Sequence, residues 1–201
     1  MGSNSAGYTS YKSLLQHVLS PDYDLGAIIL SIDLEGKDAS QIGIATLDAQ
    51  SLFNPIINSS QKVRTKLFHQ RTPEHVRRAR GKWQVRYIFA ESELFHDELQ
   101  VIQKIFTTYK DRNIILLGHS INYDLDVFAK FGFRPEDYRI IGTLDTWEIS
   151  KEILDRDFEF LVENVLKELG FTGMHFHNGE NDANFTVRAL LLLLERQLRN
   201  Y

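Results

Sequence analysis

The sequence of 201 residues contains no cysteine, only four prolines and no apolar run long enough to cross a membrane. The missing cysteines exclude disulfides, thiolate zinc sites and cysteine nucleophiles, and they favour a reducing compartment. The apolar stretch ALLLLL near the C-terminus is far shorter than the roughly 20 residues of a membrane helix. The polar N-terminal stretch, MGSNSAGYTSYKS, lacks the basic and apolar pattern of a signal peptide. We therefore expect an intracellular protein, cytoplasmic or nuclear and not secreted.

Composition and apolar patterning predict one α/β domain. Apolar residues make up 43% of the chain and aromatic residues 11%, which is enough to bury a full core. We expect an extension over residues 1–25, with a short helix at 11–20, and then a single domain over residues 26–201. Short connections join the first three predicted strands into an antiparallel meander, and strand–helix–strand units extend the sheet in parallel. The pattern predicts a mixed five-stranded sheet flanked by helices, with strands at 26–33, 40–48, 63–69, 113–118 and 139–145 and helices at 93–109, 123–131, 146–154, 159–169 and 181–198.

Charge is distributed unevenly along a chain whose net charge is −4. The segment from Lys62 to Arg86 contains nine Lys or Arg and a single acid, so it carries +8 and the rest of the chain −12. Residues 71–91 have little apolar periodicity, and we expect an insertion or loop there. A solvated surface segment explains such a charge run. A phosphate-binding surface, with Trp83 and Tyr87 stacking on bases, is the alternative.

Four acidic residues stand at predicted element ends. Asp33 and Glu35 close an apolar strand, and residues i and i+2 of a strand point to the same side. Asp124 follows the apolar run NIILLG and opens a helical pattern, and Asp182 begins the last helix. Two unit charges about 4 Å apart, at an effective dielectric near 20, repel by roughly 4 kcal/mol. Convergence of the four carboxylates therefore predicts a site for hard divalent cations with oxygen ligands.

His177 precedes Asp182 by five residues. On one regular helix this spacing corresponds to a rotation of about 140°, so the two side chains would not face one site. They converge if Asp182 lies in the first helical turn and His177 lies on the segment before it. From there the imidazole can take a proton from a water acidified by a metal. We assign no role to His175.

Each of these candidates also has a purely structural explanation. The tripeptide D-x-E is common, and Asp124 is suited to the N-terminal turn of a helix, where the macrodipole favours negative charge. The HFH stretch that contains His177 could supply two ligands of a zinc site. No third neutral ligand is evident, however, and zinc would leave the other carboxylates unexplained.

Three segments resemble the three exonuclease motifs of the DEDDh 3′→5′ exonucleases, members of the ribonuclease H-like superfamily. They are SIDLEG, then GHSINYDLDVF followed by TLDTW, and finally HNGENDA. QIGIATLD and FLVENVLKELG resemble the second strand and the helix before the last motif, so the resemblance spans about residues 26–198. The sequence is most similar to fungal, eukaryote-type members. This resemblance implies a ribonuclease H-like fold over residues 26–201.

The resemblance also implies an activity. A DEDDh member is expected to be a metal-dependent 3′→5′ exonuclease that releases nucleoside 5′-monophosphates from single-stranded nucleic acid, here with RNA favoured over DNA. Two divalent cations, Mg²⁺ or Mn²⁺, are the implied cofactors, and nucleic acid, with no membrane, is the implied partner. Asp33, Glu35, Asp124 and Asp182 are the implied metal ligands, and the implied catalytic set is Asp33, Glu35, Asp124, His177 and Asp182.

Two positions depart from the resemblance. Many relatives have Asn four residues before the second-motif Asp, where this chain has Ser120, and the RNA-processing branch often has GHS there. Many relatives also have Thr or Ser after the first-motif Glu, where this chain has Gly36. These departures keep open an alternative, a weakly active or inactive ribonuclease H-like module that binds RNA or serves as a scaffold. A proofreading subunit of a separate polymerase is a further alternative.

Overall fold

A six-stranded mixed sheet organises the chain in the computed structural model, which describes residues 10–18, 26–36, 39–50, 63–69, 91–156, 161–171 and 176–199. The central strand is rich in β-branched and other apolar residues, a composition that suits a strand covered on both faces. The order across the sheet is β4-β3-β2-β1-β5-β6. The strands are β1 (Ala27–Glu35), β2 (Gln41–Asp48), β3 (Val63–His69), β4 (Glu91–Leu94), β5 (Asn113–Gly118) and β6 (Ile140–Asp145).

The predicted mixed sheet is confirmed, with one strand more than the five that the pattern indicated. β1, β2 and β3 form the antiparallel meander, and β5 and β6 follow in parallel beside β1. The additional strand β4 pairs in parallel with β3. Its four residues, ESEL, are too few and too polar to show a strand period, so the pattern placed them in a loop and a helix start. Residues 70–90, most of the predicted insertion, lie outside the described residues.

Six α-helices flank the sheet within the described part of the chain. Two of them begin at a side-chain cap: Asp97 accepts the backbone N–H of Gln100 at 2.9 Å, and Asp145 accepts that of Trp147 at 2.9 Å. The first cap explains why the helix predicted from residue 93 begins five residues later. The helices are α1 (Tyr11–Val18), α2 (Glu98–Thr108), α3 (Asn122–Lys130), α4 (Thr146–Leu154), α5 (Val162–Glu168) and α6 (Gly179–Arg199).

Two apolar cores lie on the two faces of the sheet, because side chains alternate along each strand. Ile29 of β1 contributes to the core under α1, α4, α5 and α6, whereas Ile28 and Leu30 contribute to the core under α2 and α3. Leu14 and Leu15 of α1 are buried in the first of these cores. Among the described helices, none is both long and apolar enough to span a membrane.

The start of α6 lies directly against β2 because two glycines meet there. A Cβ on Gly43 would lie 1.9 Å from the carbonyl oxygen of Gly179, a distance that no side chain tolerates. Gly43 is the register partner of Asp33 in the antiparallel pair β1–β2, so both residues face α6. This close contact holds the first turn of α6 beside Asp33, and that turn contains Asp182.

Candidate active site

Asp33 and Glu35 lie at the C-terminal end of β1, on the face that α6 covers. Oδ2 of Asp33 is buried and has no hydrogen-bond partner. Burial raises the pKa of Asp33 well above its usual range, and the charges of Asp182, Asp124 and Glu35 raise it further. Burial also raises the pKa of Glu35, while the nearby His177 acts in the opposite direction. The pair is therefore costly to keep ionised without a cation beside it.

Asp124 lies in the first turn of α3 and is 7% exposed. Its Oδ1 accepts the backbone N–H of Leu34 at 3.3 Å, between the two acids of β1. This bond attaches α3 to the end of β1. Burial raises the pKa of Asp124 to about 7, with smaller contributions from the charges of Glu35 and Asp145.

Asp182 lies in the first turn of α6 and is 6% exposed. Its Oδ2 accepts the backbone N–H groups of His177 at 2.8 Å and of Asn178 at 3.1 Å. Its Oδ1 is buried and has no hydrogen-bond partner. Burial, followed by the charge of Glu35, raises the pKa of Asp182 to about 7. The carboxylate thus stabilises the helix start with one oxygen and leaves the other facing the acidic cluster.

His177 precedes α6 in a left-handed conformation, with φ of 64°. This turn places its ring beside the first helical turn instead of on the helix. One potential ligand atom from each of Glu35, His177 and Asp182 lies within 4.8 Å of the others. The five-residue spacing is therefore bridged in the way that the sequence required, by a turn followed by a helix start. His175 lies outside the described residues.

The acidic residues open into a cleft of about 120 Å³. Its walls come from the ends of β1 and β5, the first turn of α5 and the first turns of α6. Asp124 does not line this cleft and is connected to it by its bond to the backbone of Leu34. The lining residues are Asp33, Glu35, His119, Leu161, Val162, Glu163, Phe176, His177, Asp182 and Thr186.

Asp145 is a supporting residue that the sequence reasoning missed. Besides capping α4, its carboxylate accepts the backbone N–H of Ser120 at 2.9 Å and of Ile121 at 3.2 Å. These bonds hold the turn between β5 and α3, and α3 carries Asp124. The TLDTW stretch contains the helix-start signal, but the long-range bonds to the turn depend on the pairing of β5 with β6.

The two departures from the family pattern occur at positions of positive φ. Ser120 has φ of 65°, a region in which Asn is favoured over Ser. Gly36 has φ of 81°, and a Cβ there would lie 2.3 Å from Oγ of Ser40. The backbone conformation and the Ser40 hydroxyl therefore both favour glycine at residue 36. Neither departure removes a carboxylate or the imidazole from the cleft.

Of the nine Lys and Arg residues between Lys62 and Arg86, the structure describes the side chains of Arg64 and Lys66. Both residues lie on the face of β3 that α2 covers, which is the opposite side of the sheet from Asp33. Lys66 forms an ion pair with Glu93 of β4. These two cations therefore do not border the acidic cleft, and the remaining basic residues of the segment lie outside the described residues.

The donor set of the cleft fits divalent cations. Asp33, Glu35 and Asp182 line it, and Asp124 adjoins it through its bond to the backbone of Leu34. Asp33 and Asp182 each have a buried oxygen without a hydrogen-bond partner. Burial is the largest cause that raises the pKa of all four carboxyl groups, so their ionised state would need compensating positive charge. Hard cations with oxygen ligands would supply that charge.

We expect the metal-free protein to lose stability as the pH rises from about 4 to about 7. The pKa values of Asp124 and Asp182 near 7 exceed the usual value of 3.8, so at these two groups the folded state binds more protons than the unfolded chain. Burial lowers the pKa of His119 to about 4, and the combined effect of the two carboxyl groups exceeds the opposite effect of this single group. Chemical denaturation in EDTA at a series of pH values measures the effect. Asp124→Asn should flatten the slope, and a free energy of unfolding that rises throughout the interval would contradict the expectation.

Comparison with known proteins agrees with this geometry. Residues 28–193 match the family model described as DNA polymerase III subunit epsilon-like, C-terminal domain. The 3′-5′ exonucleases DinG of Staphylococcus aureus strains USA300 and bovine RF122/ET3-1 are each 29% identical over 99 residues. That match covers 48% of this chain but only 11% of each relative.

The fold also matches the crystal structure of the RNase domain of the yeast Pop2 protein. The TM-score is 0.52 at 14% sequence identity, covering 92% of this chain and 82% of that one. At this identity the likeness concerns the fold alone. Because the family model spans well over half of the 201 residues, this chain belongs to the DEDDh family of DNA polymerase III subunit epsilon-like C-terminal domains.

Proposed function

We propose that this chain is a metal-dependent 3′→5′ exonuclease that releases nucleoside 5′-monophosphates from single-stranded nucleic acid. The observation that carries the proposal is the convergence of Asp33, Glu35 and Asp182 with His177 in one open cleft, with two carboxylate oxygens buried and unpartnered. Membership of the DEDDh family and the 3′-5′ exonuclease activity named for the DinG relatives support the direction of attack.

The proposed metal ligands are Asp33, Glu35, Asp124 and Asp182, which would hold two divalent cations, Mg²⁺ or Mn²⁺. Such ions lower the pKa of a water and stabilise the charge on the leaving oxygen. Asp124 is oriented for this role by the backbone N–H of Leu34, and Asp182 by the two backbone N–H groups before α6. Both carboxylates are therefore held in place by backbone N–H groups, and Oδ1 of Asp182 is left without a hydrogen-bond partner.

His177 is the proposed general base. Its ring is exposed at the cleft, so it can exchange a proton with solvent after each cycle. Glu35 lies close enough to stabilise the imidazolium that forms when the ring takes a proton from the attacking water. The bond from the His177 backbone N–H to Asp182 fixes the turn from which the ring projects.

We expect His177→Ala to lower the rate of hydrolysis by roughly 10²–10⁴-fold, the usual contribution of a general base. The four carboxylates remain in this variant, so stabilisation by Mn²⁺ should be largely retained. Single-turnover hydrolysis of a labelled oligonucleotide measures the rate, and His96→Ala, a change at an exposed histidine before α2, is the control. A His177→Ala rate within threefold of the parent would remove this residue from the mechanism.

We propose RNA as the favoured substrate because the GHS stretch before Asp124 resembles the RNA-processing branch. Matched RNA and DNA oligomers, single and double stranded and labelled at the 5′ end, test both preferences in one assay. Shortening from the 3′ end that EDTA stops is the expected result. Internal cleavage, or hydrolysis that persists in EDTA, would contradict the proposed function. An intracellular location and a place in the fungal, eukaryote-type branch remain predictions from the sequence.

A further inference from the structure

His119 lies in the same cleft and has no part in the mechanism described above. In the parallel pair β1–β5, Ser31 is the register partner of Leu117, and Asp33 and His119 each follow two residues later. Side chains two residues apart point to the same face of a sheet, so His119 lies beside Asp33 on the side that α6 covers. Its ring forms part of the cleft wall.

The hydrogen bonds around His119 favour one tautomer of its ring. The hydroxyl of Thr146 donates to the carbonyl oxygen of Gly118 at 3.1 Å, and a hydroxyl has a single hydrogen to donate. With that hydrogen directed at Gly118, the ring donates across the contact of 2.9 Å between its Nδ1 and Oγ1 of Thr146. Burial lowers the pKa of His119 to about 4, so the ring is neutral at physiological pH. Nε2 is then a lone-pair acceptor.

That acceptor has no partner: Nε2 of His119 is buried and forms no hydrogen bond. A buried acceptor without a donor is costly, whereas satisfying it contributes to binding. The phosphate oxygens of a nucleic acid are acceptors and cannot satisfy it. Within the last nucleotide of a strand, the ribose hydroxyl groups are donors that neighbour the scissile phosphate.

We infer that His119 is a substrate-binding residue whose Nε2 accepts a hydrogen bond from a ribose hydroxyl of the 3′-terminal nucleotide. The inference rests on the proposed function and names a contact of the same site. The 2′- and 3′-hydroxyls are the two possible donors, and they have the same chemistry. Thr146 is a positioning residue in this arrangement, because it acts on the nucleotide only through the ring.

Binding of mononucleotides tests the contact separately from hydrolysis. AMP, 2′-deoxy-AMP and 3′-deoxy-AMP are titrated in Mg²⁺ into the wild-type protein and followed by nuclear magnetic resonance. The wild type should bind the analogue that lacks the contacted hydroxyl about 10-fold more weakly than AMP. The weaker analogue identifies the donor as the 2′- or the 3′-hydroxyl.

His119→Asn is the diagnostic variant. Its amide can still donate to Thr146, but its shorter side chain removes the acceptor at Nε2. We expect the variant to bind the three nucleotides with equal affinity and to unfold at the wild-type temperature. Thr146→Val keeps the acceptor at Nε2 of His119 but removes the hydroxyl that orients the ring. We expect this variant to prefer AMP less strongly than the wild type does.

Three results would overturn the inference. The first is that the wild type binds none of the nucleotides, and the second is that it binds all three equally. The third is that His119→Asn retains the wild-type preference. The third result includes a folded His119→Asn variant whose affinity falls by the same factor for all three nucleotides, and it would assign the residue a structural role. Failure of the proposed function would be recognised separately. A wild-type protein that hydrolyses no oligonucleotide contradicts the exonuclease proposal, whatever preference it shows among the three nucleotides.

Discussion

Asp33→Asn is expected to reduce hydrolysis by roughly 10³-fold or more, because several kcal/mol of transition-state stabilisation depend on correctly held cations. The same change removes a charge from the most crowded position of the acidic cluster, where burial and three other acids raise the pKa of Asp33. We therefore expect the metal-free variant to be at least as stable as the wild type at pH 8. Loss of activity together with unchanged or higher stability separates a catalytic role from a structural one.

Metal titration completes this test. The wild type should be stabilised by Mn²⁺, by about 2.7 kcal/mol per site at 100 times the dissociation constant, and Asp33→Asn should lose most of that gain. Asp126→Asn neutralises an exposed acid of α3, two residues beyond Asp124, and is the matched control. A wild-type protein that gains no stability from Mn²⁺ or Mg²⁺ would support the alternative of a nucleic-acid-binding scaffold. Full activity in Asp33→Asn would overturn the site.

Gly43→Ala is expected to damage both the fold and the site. The new Cβ would lie 1.9 Å from the carbonyl oxygen and 2.0 Å from the carbonyl carbon of Gly179, which are backbone atoms that cannot rotate away. The start of α6 must therefore move, at a cost of about 1–3 kcal/mol or more. Asp182 moves with it, and a displacement near 1 Å in a catalytic site lowers activity by roughly 10²-fold.

Gly132→Ala is the control that separates strain from displacement. Gly132 has φ of 82°, and a Cβ there would meet nothing within 4 Å. The left-handed conformation costs about 1–2 kcal/mol for an ordinary residue. This variant should therefore lose stability while hydrolysis per folded molecule stays at the wild-type rate. Thermal unfolding and hydrolysis measured on the same preparations decide the matter: a Gly43→Ala variant with wild-type hydrolysis would show that α6 adapts without moving Asp182.

Local patterns explain how much of the fold could be predicted from the sequence. The apolar run that opens AIILSIDLE indicates a buried strand, and the two-residue period of a strand places Asp33 and Glu35 on one side of it. NIILLG indicates a second buried strand, and the structure has it at Asn113–Gly118, as predicted. Strand β4 was missed because ESEL has no pattern of its own. Its strand conformation comes from pairing with β3, which is distant in sequence.

The residues of the site divide in the same way, into those that local sequence patterns indicate and those whose role depends on contacts between distant residues. The candidate carboxylates and His177 stand in motifs that can be read from the printed chain. Asp145, which holds the turn before Asp124, and His119, whose ring is oriented by Thr146, were not identified as parts of the site. Their partners belong to neighbouring strands and helices, and those contacts exist only once β5 and β6 are paired.

The sequence by itself determined the class of fold, the order of the acidic motifs and the need for positive charge wherever they meet. These properties follow from side-chain periodicity and from the repulsion of like charges, which are readable without coordinates. Only the tertiary structure decided that α6 approaches β2 through Gly43 and Gly179, that Arg64 and Lys66 face away from the cleft, and that Nε2 of His119 is left without a donor. Each of these depends on distances between residues far apart in the chain, which no local pattern encodes.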